Sequence, residues 1–410
     1  MGTQTAAIDA PRGARAEFKT LTLVSAAHLV SHFYMLALVP ILPELKDMLG
    51  VSYTELAWSA ILLNLVSSLT QAPIGFLCDR VGARTLLVAG LLLGGVAFIA
   101  LGIWPSYPML LAAAVAIGLA NAVYHPADYS ILAAEIGPAA MGRAFSVHSF
   151  VGYLGFALAA PVMLTADHAG GVKLALLICG AMGPLAALPF IPACFGERDA
   201  YKAAAKKPGA DKGPSALSLL TPAVIVLTVM YTTLNLATGI LQTYMIVALG
   251  DLLHMPRELA GWSLTLFMGA IVVGILAGGV MADRVSRQSL ITSGALGLAA
   301  VIVTFIAGVD VGPYPTLALL TFAGFLAGVI VPSRDLLTRA ASPPQAVGRV
   351  FGIVTTGFSI GGMIGPYIGA WFIDHAMPAG VFFTSAVFMA ITIGLAVRAD
   401  IDGTAQPAKK

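Results

Sequence analysis

The chain has 410 residues, of which 58% are hydrophobic and only 10% are charged, and its formal net charge is +2. Soluble globular domains carry about 25% charged residues, so most of this chain cannot face water. The small net charge provides no basic field to attract nucleic acid, and we expect no nucleic-acid partner. The three cysteines have neither metal-site nor disulfide-framework spacing.

Apolar segments long enough to cross a bilayer recur twelve times along the chain, since a helical span needs about 20 mainly apolar residues. A polar stretch at 195–218 separates the sixth segment from the seventh. We therefore predict an all-α membrane protein with twelve transmembrane helices in two pseudo-symmetric six-helix bundles, 1–194 and 219–410, joined by a linker at 195–218. The predicted spans are 20–42, 55–77, 85–104, 109–133, 143–165, 172–194, 219–247, 259–282, 289–309, 316–340, 348–372 and 378–398.

The basic residues predict how these spans are oriented. With twelve spans, eighteen of the 22 lysines and arginines fall on the side of the N-terminus. The other side holds Lys46, Lys173 and Arg257, and Arg334 lies within a span. Cytoplasmic loops of membrane proteins are enriched in lysine and arginine. We therefore expect both termini and the linker to be cytoplasmic, in a multi-pass protein of the bacterial inner (plasma) membrane.

Two motifs recur at nearly one offset. Asp79-Arg80 after the second span returns as Asp283-Arg284 after the eighth, 204 residues later. Five further residues return 206 residues later, namely Gly118, Pro126, Gly142, Arg143 and Phe145 as Gly324, Pro332, Gly348, Arg349 and Phe351. Repetition of this kind indicates a duplicated six-helix unit.

The motif after the second span resembles the signature of the major facilitator superfamily. It consists of Gly75, Asp79, Arg80, Gly82 and Arg84, and the copy at Asp283 and Arg284 is also typical. The resemblance implies the fold of that family and a gating role for these seven residues. Arg80 and Arg84 suit the C-terminal end of a helix, whereas Asp79 needs a partner there. The alternative is that the motif only anchors the topology.

Two further segments resemble the fosmidomycin-resistance branch of bacterial exporters. They are Ala27-His28-Leu-Val-Ser31-His32 in the first span and Val123-Tyr124-His125-Pro126 in the fourth. The resemblance implies proton-coupled efflux of small compounds, including anionic ones. In that branch an acid follows His-Pro directly, whereas here Ala127 intervenes before Asp128. One extra residue turns a side chain by about 100° around the helix axis.

Glycines also form a pattern. Gly357, Gly361, Gly365 and Gly369 are spaced by four and share one face of the eleventh span, which lets helix backbones approach closely. The stretch from Gly361 to Gly369, with Pro366, resembles the glycine-proline motif that many drug–proton antiporters carry in span five. Span five here holds only Gly152, Gly155 and Pro161. The alternative is that the ladder serves packing alone.

Polar side chains inside the spans are candidates for a cavity, because a charge at bilayer depth costs about 2.5–3.5 kcal/mol on insertion scales. The histidines titrate near neutral pH and could carry protons. His28 and His32 have metal-ligand spacing, but no third ligand is evident and we predict no metal site. The candidate substrate and proton residues are His28, His32, Asn121, Tyr124, His125, Asp128, His148, Asn235, Gln242, Arg334 and Asp335.

The repeat places Asp128 and Arg334 at equivalent positions, 206 residues apart. In duplicated transporters the site lies between the halves, so the two charges can pair across a central cavity. Alternatively Asp335 faces inward, or each charge pairs within its own half. The planar fork of Arg334 suits a carboxylate, phosphate or phosphonate, which favours a small anionic or zwitterionic substrate.

These observations predict a secondary active transporter working by alternating access, with proton-coupled efflux as the first hypothesis. Import of small organic anions is the alternative, and a non-transporting sensor or enzyme is a second one. The sequence has no P-loop and no catalytic constellation, so we expect neither enzyme activity nor a cofactor. The two-bundle design needs no partner chain, and we expect a monomer in the bilayer.

Overall fold

A computed structural model describes residues 14–137, 140–192, 217–285, 287–343 and 347–404, without the side chains of residues 79, 217, 347–349 and 401–404. All regular structure in these ranges is helical. The helices are α1 Ala14–Leu36, α2 Leu42–Leu49, α3 Tyr53–Val81, α4 Ala83–Ile103, α5 Tyr107–Glu135, α6 Met141–Ala187, α7 Pro222–Leu253, α8 Arg257–Arg284, α9 Gln288–Gly308, α10 Pro313–Ala340, α11 Val347–Asp374 and α12 Ala379–Thr404.

Helix α6 comprises two membrane spans that are joined by a break in helical geometry. Its 47 residues would extend about 70 Å, more than twice the hydrocarbon thickness of a bilayer. Gly170 and Gly171 leave helical geometry, and Gly171 has a φ of +77° that favours glycine. With this break, the eleven long apolar helices found among the described residues give the twelve predicted spans.

The first span differs most from its prediction. Helix α1 ends at Leu36, a 3-10 turn at Val39–Ile41 follows, and α2 continues the segment to Leu49. Pro40 and Pro43 explain the interruption, because proline lacks the N–H that a continuous helix needs. The predicted linker at 195–218 lies almost entirely outside the described residues.

The two halves contact each other mainly through two helix pairs, α3 with α11 and α6 with α8, and α7 also contacts the 3-10 turn at Val39–Ile41. In the duplicated unit α3 corresponds to α8, and the first arm of α6, residues 141–169, corresponds to α11. The two contacts are therefore equivalents of one another. Within the C-terminal half, α8 packs on α10 and α11 packs on α7.

Glycines set these close approaches. An added methyl group at Gly274 or Gly278 of α8 would strike the backbone carbonyls of Phe325 or Val329 in α10. The predicted ladder of α11 faces α7, since a methyl group at Gly361 would lie 2.8 Å from the carbonyl oxygen of Thr232. The ladder therefore serves helix packing in this structure.

The hydrogen bonds between the halves lie from the middle of the helices toward one end, which we call the closed end. Arg257 at the start of α8 pairs with Glu44 at 2.6 Å and with Asp167 at 2.9 Å. Asp374 at the end of α11 accepts hydrogen bonds from the backbone of Tyr53 at 3.0 Å and of Thr54 at 2.8 Å. Among the described residues, no hydrogen bond joins the halves at the opposite end.

Candidate functional site

Five of the predicted residues converge in the N-terminal half, and we call them the histidine–carboxylate cluster: His28, His32, His125, Asp128 and His148. The His28 ring stacks on His148 with 4.0 Å between centroids, and it lies 4.3 Å from the His32 ring. Asp128 Oδ2 lies 3.3 Å from His28 Nδ1 and 3.6 Å from His148 Nε2. Helices α1, α5 and α6 thus bring residues from three distant parts of the chain together.

Gly152 of α6 makes room for this arrangement. A methyl group there would lie 2.6 Å from His28 Nε2 and 3.2 Å from His32 Cε1. Gly155, one turn later, faces the backbone of Leu29. The glycines of the fifth span therefore let α1 approach α6 so closely that two imidazole rings rest on the α6 backbone.

The core of the cluster is shielded from solvent. His28, Asp128 and His148 are 2%, 0% and 1% exposed. Both carboxylate oxygens of Asp128, Nδ1 of His28 and both ring nitrogens of His148 lack a hydrogen-bond partner with good geometry. Buried polar groups are normally hydrogen-bonded, so five unpartnered atoms in one place indicate a site built for an exchangeable species.

The rim of the cluster reaches toward the space between the halves. His32 and His125 are half-buried, and Tyr129 is exposed. The ring of Tyr153 lies 6.2 Å from the His32 ring, and its hydroxyl is within electrostatic range of Arg334 in the other half. Tyr153 was missed from the sequence, because an aromatic residue in an apolar span gives no signal of its own.

Arg334 and Asp335 form the second polar group, in the C-terminal half. Nε and an Nη of Arg334 each lie 2.9 Å from Asp335 Oδ1, which also accepts a hydrogen bond from Tyr231 at 3.0 Å. The guanidinium stacks on Tyr231 at 4.7 Å and on Phe358 at 5.0 Å. Two aromatic rings and one carboxylate thus neutralise and hold a cation at membrane depth.

The cross-cavity pair of Asp128 with Arg334 is not formed in this conformation. Asp128 faces α1 and α6, where the histidines lie, and Arg334 bonds to its sequence neighbour. Asp128 therefore lies beside groups of its own half, where neither of its carboxylate oxygens has a hydrogen-bond partner, whereas Arg334 is paired with Asp335. Equivalent positions in a duplicated chain indicate that two side chains lie at a similar depth in the membrane. They do not determine the rotamer of either side chain or the residues that it contacts.

Four other candidates lie outside the cluster. Asn121 donates to Ser67 Oγ at 2.9 Å, and the hydroxyl of Tyr124 donates to the Gly90 carbonyl at 3.3 Å. These two side chains join α5 to α3 and α4. Asn235 and Gln242 are half-buried on α7, where Asn235 lies beside Gly361 of α11.

The gating motif has a different local structure from the predicted one. Gly82 has a φ of +103° and ends α3, so Arg84 lies in the first turn of α4 and not at a helix C-terminus. A cation at a helix N-terminus is unfavourable, and Arg84 is compensated by an ion pair with Glu135. Thr20 of α1 also donates to Glu135, at 2.5 Å.

The other residues of the motif have less contact in this conformation. Arg80, Asp283 and Arg284 are exposed. A methyl group at Gly75 would meet nothing within 4 Å. The side chain of Asp79 lies outside the described part of the structure.

The cluster also brings together three side chains that could bind a metal ion. One donor atom each from His28, Asp128 and His148 lies within 4.8 Å of the others. The sequence shows no third ligand beside His28 and His32, whereas the fold brings Asp128 and His148 to His28 from more than 90 residues away. The prediction that the protein has no metal site stays a prediction. His32, four residues from His28, is not part of this group of three.

Comparison with known proteins gives the family. The family model described as Major Facilitator Superfamily matches residues 24–250 and 225–409. The chain belongs to the Major Facilitator Superfamily. Among its relatives is the fosmidomycin resistance protein of Escherichia coli, 22% identical over 383 residues that cover 88% of each chain. The multi-drug resistance efflux pump PmrA of Streptococcus pneumoniae is 26% identical over 381 residues, 87% of this chain and 88% of that one.

Solved structures support the same fold. A bacterial homologue of the human lysosomal transporter Spinster, in an inward-facing and unoccupied conformation, aligns with a TM-score of 0.76 at 14% identity. The alignment covers 97% of this chain and 100% of that one. This superfamily member is thus a multi-pass membrane transporter with the predicted fold, and its resemblance to the fosmidomycin-resistance branch is confirmed.

Proposed function

We propose that this transporter exports a small molecule by alternating access, driven by protons. The observation that carries the proposal is the one-sided interface, in which ion pairs and hydrogen bonds join the two halves at the closed end, whereas no hydrogen bond between two described residues joins them at the other end. A transporter that alternates needs two such states around a fixed site. Export is supported by two relatives, a fosmidomycin resistance protein and a multi-drug resistance efflux pump.

Asp128 is the proposed proton carrier, with the four histidines of the cluster as relays. A buried carboxyl without a hydrogen-bond partner gains most by binding a proton or pairing with an imidazolium. His32 and His125, which are half-buried, would connect it with the space between the halves. If the closed end and the opposite end open in turn, His32 and His125 become accessible from one side of the membrane at a time.

The substrate in this proposal binds between the cluster rim and the Arg334–Asp335 group. Tyr153, Tyr231 and Phe358 offer aromatic surface, and Arg334 offers a planar cation. Because Asp335 already neutralises Arg334, an anionic substrate must displace that carboxylate or bind beside it. Import of organic anions by the same route is the second candidate, favoured only by the presence of Arg334.

The remaining parts of the proposal concern placement. The closed end would face the exterior and both termini the cytoplasm of a bacterial cell, as the basic residues indicate. The chain would work as a monomer, without a cofactor or enzyme activity. The residues of the motif, with Asp79 and Arg80 on α3 and Asp283 and Arg284 on α8, would pair when the opposite end closes.

Flux in proteoliposomes tests the coupling. Fosmidomycin, an anionic phosphonate, is the first probe, with cationic and neutral compounds beside it. We expect gradient-driven accumulation that a protonophore abolishes, and counterflow without gradient dependence in Asp128→Asn. Asp47→Asn is the control, because Asp47 is exposed on α2. The absence of gradient-driven flux for every probe class, or unchanged coupling in Asp128→Asn, would contradict the proposal.

Thermal shift tests the substrate site. We expect anionic compounds to raise the unfolding midpoint of the wild type and to lose this effect in Arg334→Gln. If neutral or cationic compounds are the ones that bind, or if the variant responds equally, Arg334 is structural. The cavity would then have to be assigned around Asp128 and the histidines.

A further inference from the structure

The core of the cluster has the chemistry of a metal site as well as that of a proton carrier. His28 presents Nδ1, His148 presents Nε2 and Asp128 presents Oδ2 toward one another, at 3.3 Å and 3.6 Å from the carboxylate oxygen. All three donors lie within 4.8 Å. Two donors at about 2.0–2.1 Å from a zinc ion in tetrahedral geometry lie about 3.3–3.4 Å apart.

The donors do not satisfy one another. Nδ1 of His28, Nε2 of His148 and both oxygens of Asp128 have no hydrogen bond of good geometry, although the groups are close. Hydrogen bonds between an imidazole N–H and a carboxylate would be the ordinary way to use such neighbours. Donor atoms that lie close together without bonding to one another remain free to bind a metal ion.

We propose that His28, Asp128 and His148 bind one divalent transition-metal ion of the zinc, cobalt or nickel type. Two imidazoles and one carboxylate suit these ions, whereas calcium and magnesium require six or more oxygen ligands. Three protein donors leave a coordination position open, so the ion can exchange through the rim formed by His32 and His125. This inference concerns the same residues as the proposed proton site but does not depend on it.

Cobalt binding to tag-free, chelator-treated protein in detergent tests the proposal, because tetrahedral Co²⁺ absorbs in the visible range and needs no transport assay. We expect one Co²⁺ per chain, displaced by Zn²⁺. The variants His28→Gln and His148→Gln should each weaken binding about 10-fold or more. His168→Gln is the matched control, because His168 is an exposed histidine on the same helix as His148.

X-ray absorption on the zinc-loaded wild type keeps the test independent of how the variants fold. Two imidazole nitrogens and at least one oxygen in the first coordination sphere are expected. Absence of saturable binding, or binding that both variants leave unchanged, would overturn the inference. Flux measured with a chelator present tests the proposed function separately, since transport that continues without any metal binding leaves that function intact.

Discussion

Asp335 determines how the C-terminal half tolerates a buried cation. The side chain of Arg334 is 13% exposed and that of Asp335 is 44% exposed, so the arginine lies inside and its partner is partly open to solvent. A buried charge whose partner is removed is strongly destabilising, and an exposed pair contributes little. The effect of losing Asp335 should fall between these limits.

We expect Asp335→Asn to lower the free energy of unfolding by about 1–2 kcal/mol, because an amide leaves the Arg334 charge uncompensated. The unfolding midpoint in detergent is the measurement, with Asp47→Asn as the exposed control. In the double variant Arg334→Gln/Asp335→Asn the loss should be smaller than the sum of the single losses. Losses that simply add would mean that the two side chains do not stabilise each other.

The residues of the cluster could be predicted from the sequence, but their geometry could not. Histidines and an acid inside apolar spans stand out because polar side chains there are costly. Their convergence depends on the rotation of α1, α5 and α6 about their own axes, which spacing along one helix does not fix. For the same reason, no sequence pattern indicates that Asp128 lies next to His28 and His148, or that Tyr231 and Phe358 hold Arg334.

At the scale of helices, the number and order of the spans follow from hydropathy alone, because each span must satisfy its backbone internally and cover its apolar length. Most predicted boundaries lie within a few residues of those observed. The break after Leu36 was not predicted, although Pro40 and Pro43 could have indicated it. The packing partner of each helix was also open, since small residues on a face show that something approaches without identifying it.

The contact of α8 with α10 gives a prediction at this scale. A methyl group at Gly278 would lie 2.8 Å from the carbonyl carbon of Val329, whereas one at the adjacent Gly279 would meet nothing within 4 Å. We expect Gly278→Ala to destabilise the protein by about 1–3 kcal/mol through overpacking. Gly279→Ala should be neutral or slightly stabilising, since alanine is the better helix former.

Unfolding midpoints of the two variants, measured side by side, check this prediction. Both changes add the same methyl group to neighbouring positions of one helix, so differences in helix propensity cancel. Equal unfolding midpoints for the two variants would mean that α8 and α10 do not pack closely at Gly278.

At the scale of the whole molecule, equivalent carboxylate contacts hold together the two helix pairs that join the halves. Tyr53 begins α3 and Arg257 begins α8, and they are 204 residues apart, the same offset as Asp79 and Asp283. Each helix start is held by a carboxylate from the end of a span in the other half, Asp374 for Tyr53 and Asp167 for Arg257. The duplication that built the fold therefore also produced two carboxylate contacts at the closed end.

These contacts predict how the balance of conformations responds to mutation. Loss of either should shift the equilibrium away from the conformation described here, by about 1 kcal/mol or roughly fivefold in population. Spin labels at Asp47 of α2 and Glu258 of α8, on a cysteine-free background, report the separation of the halves at that end. We expect longer distances in Arg257→Gln and in Asp374→Asn, and the largest shift when both are combined.

Lys173→Gln is the control, because Lys173 is an exposed cation near the break in α6. If the distance distributions match that control, these contacts accompany closure of the halves without stabilising it.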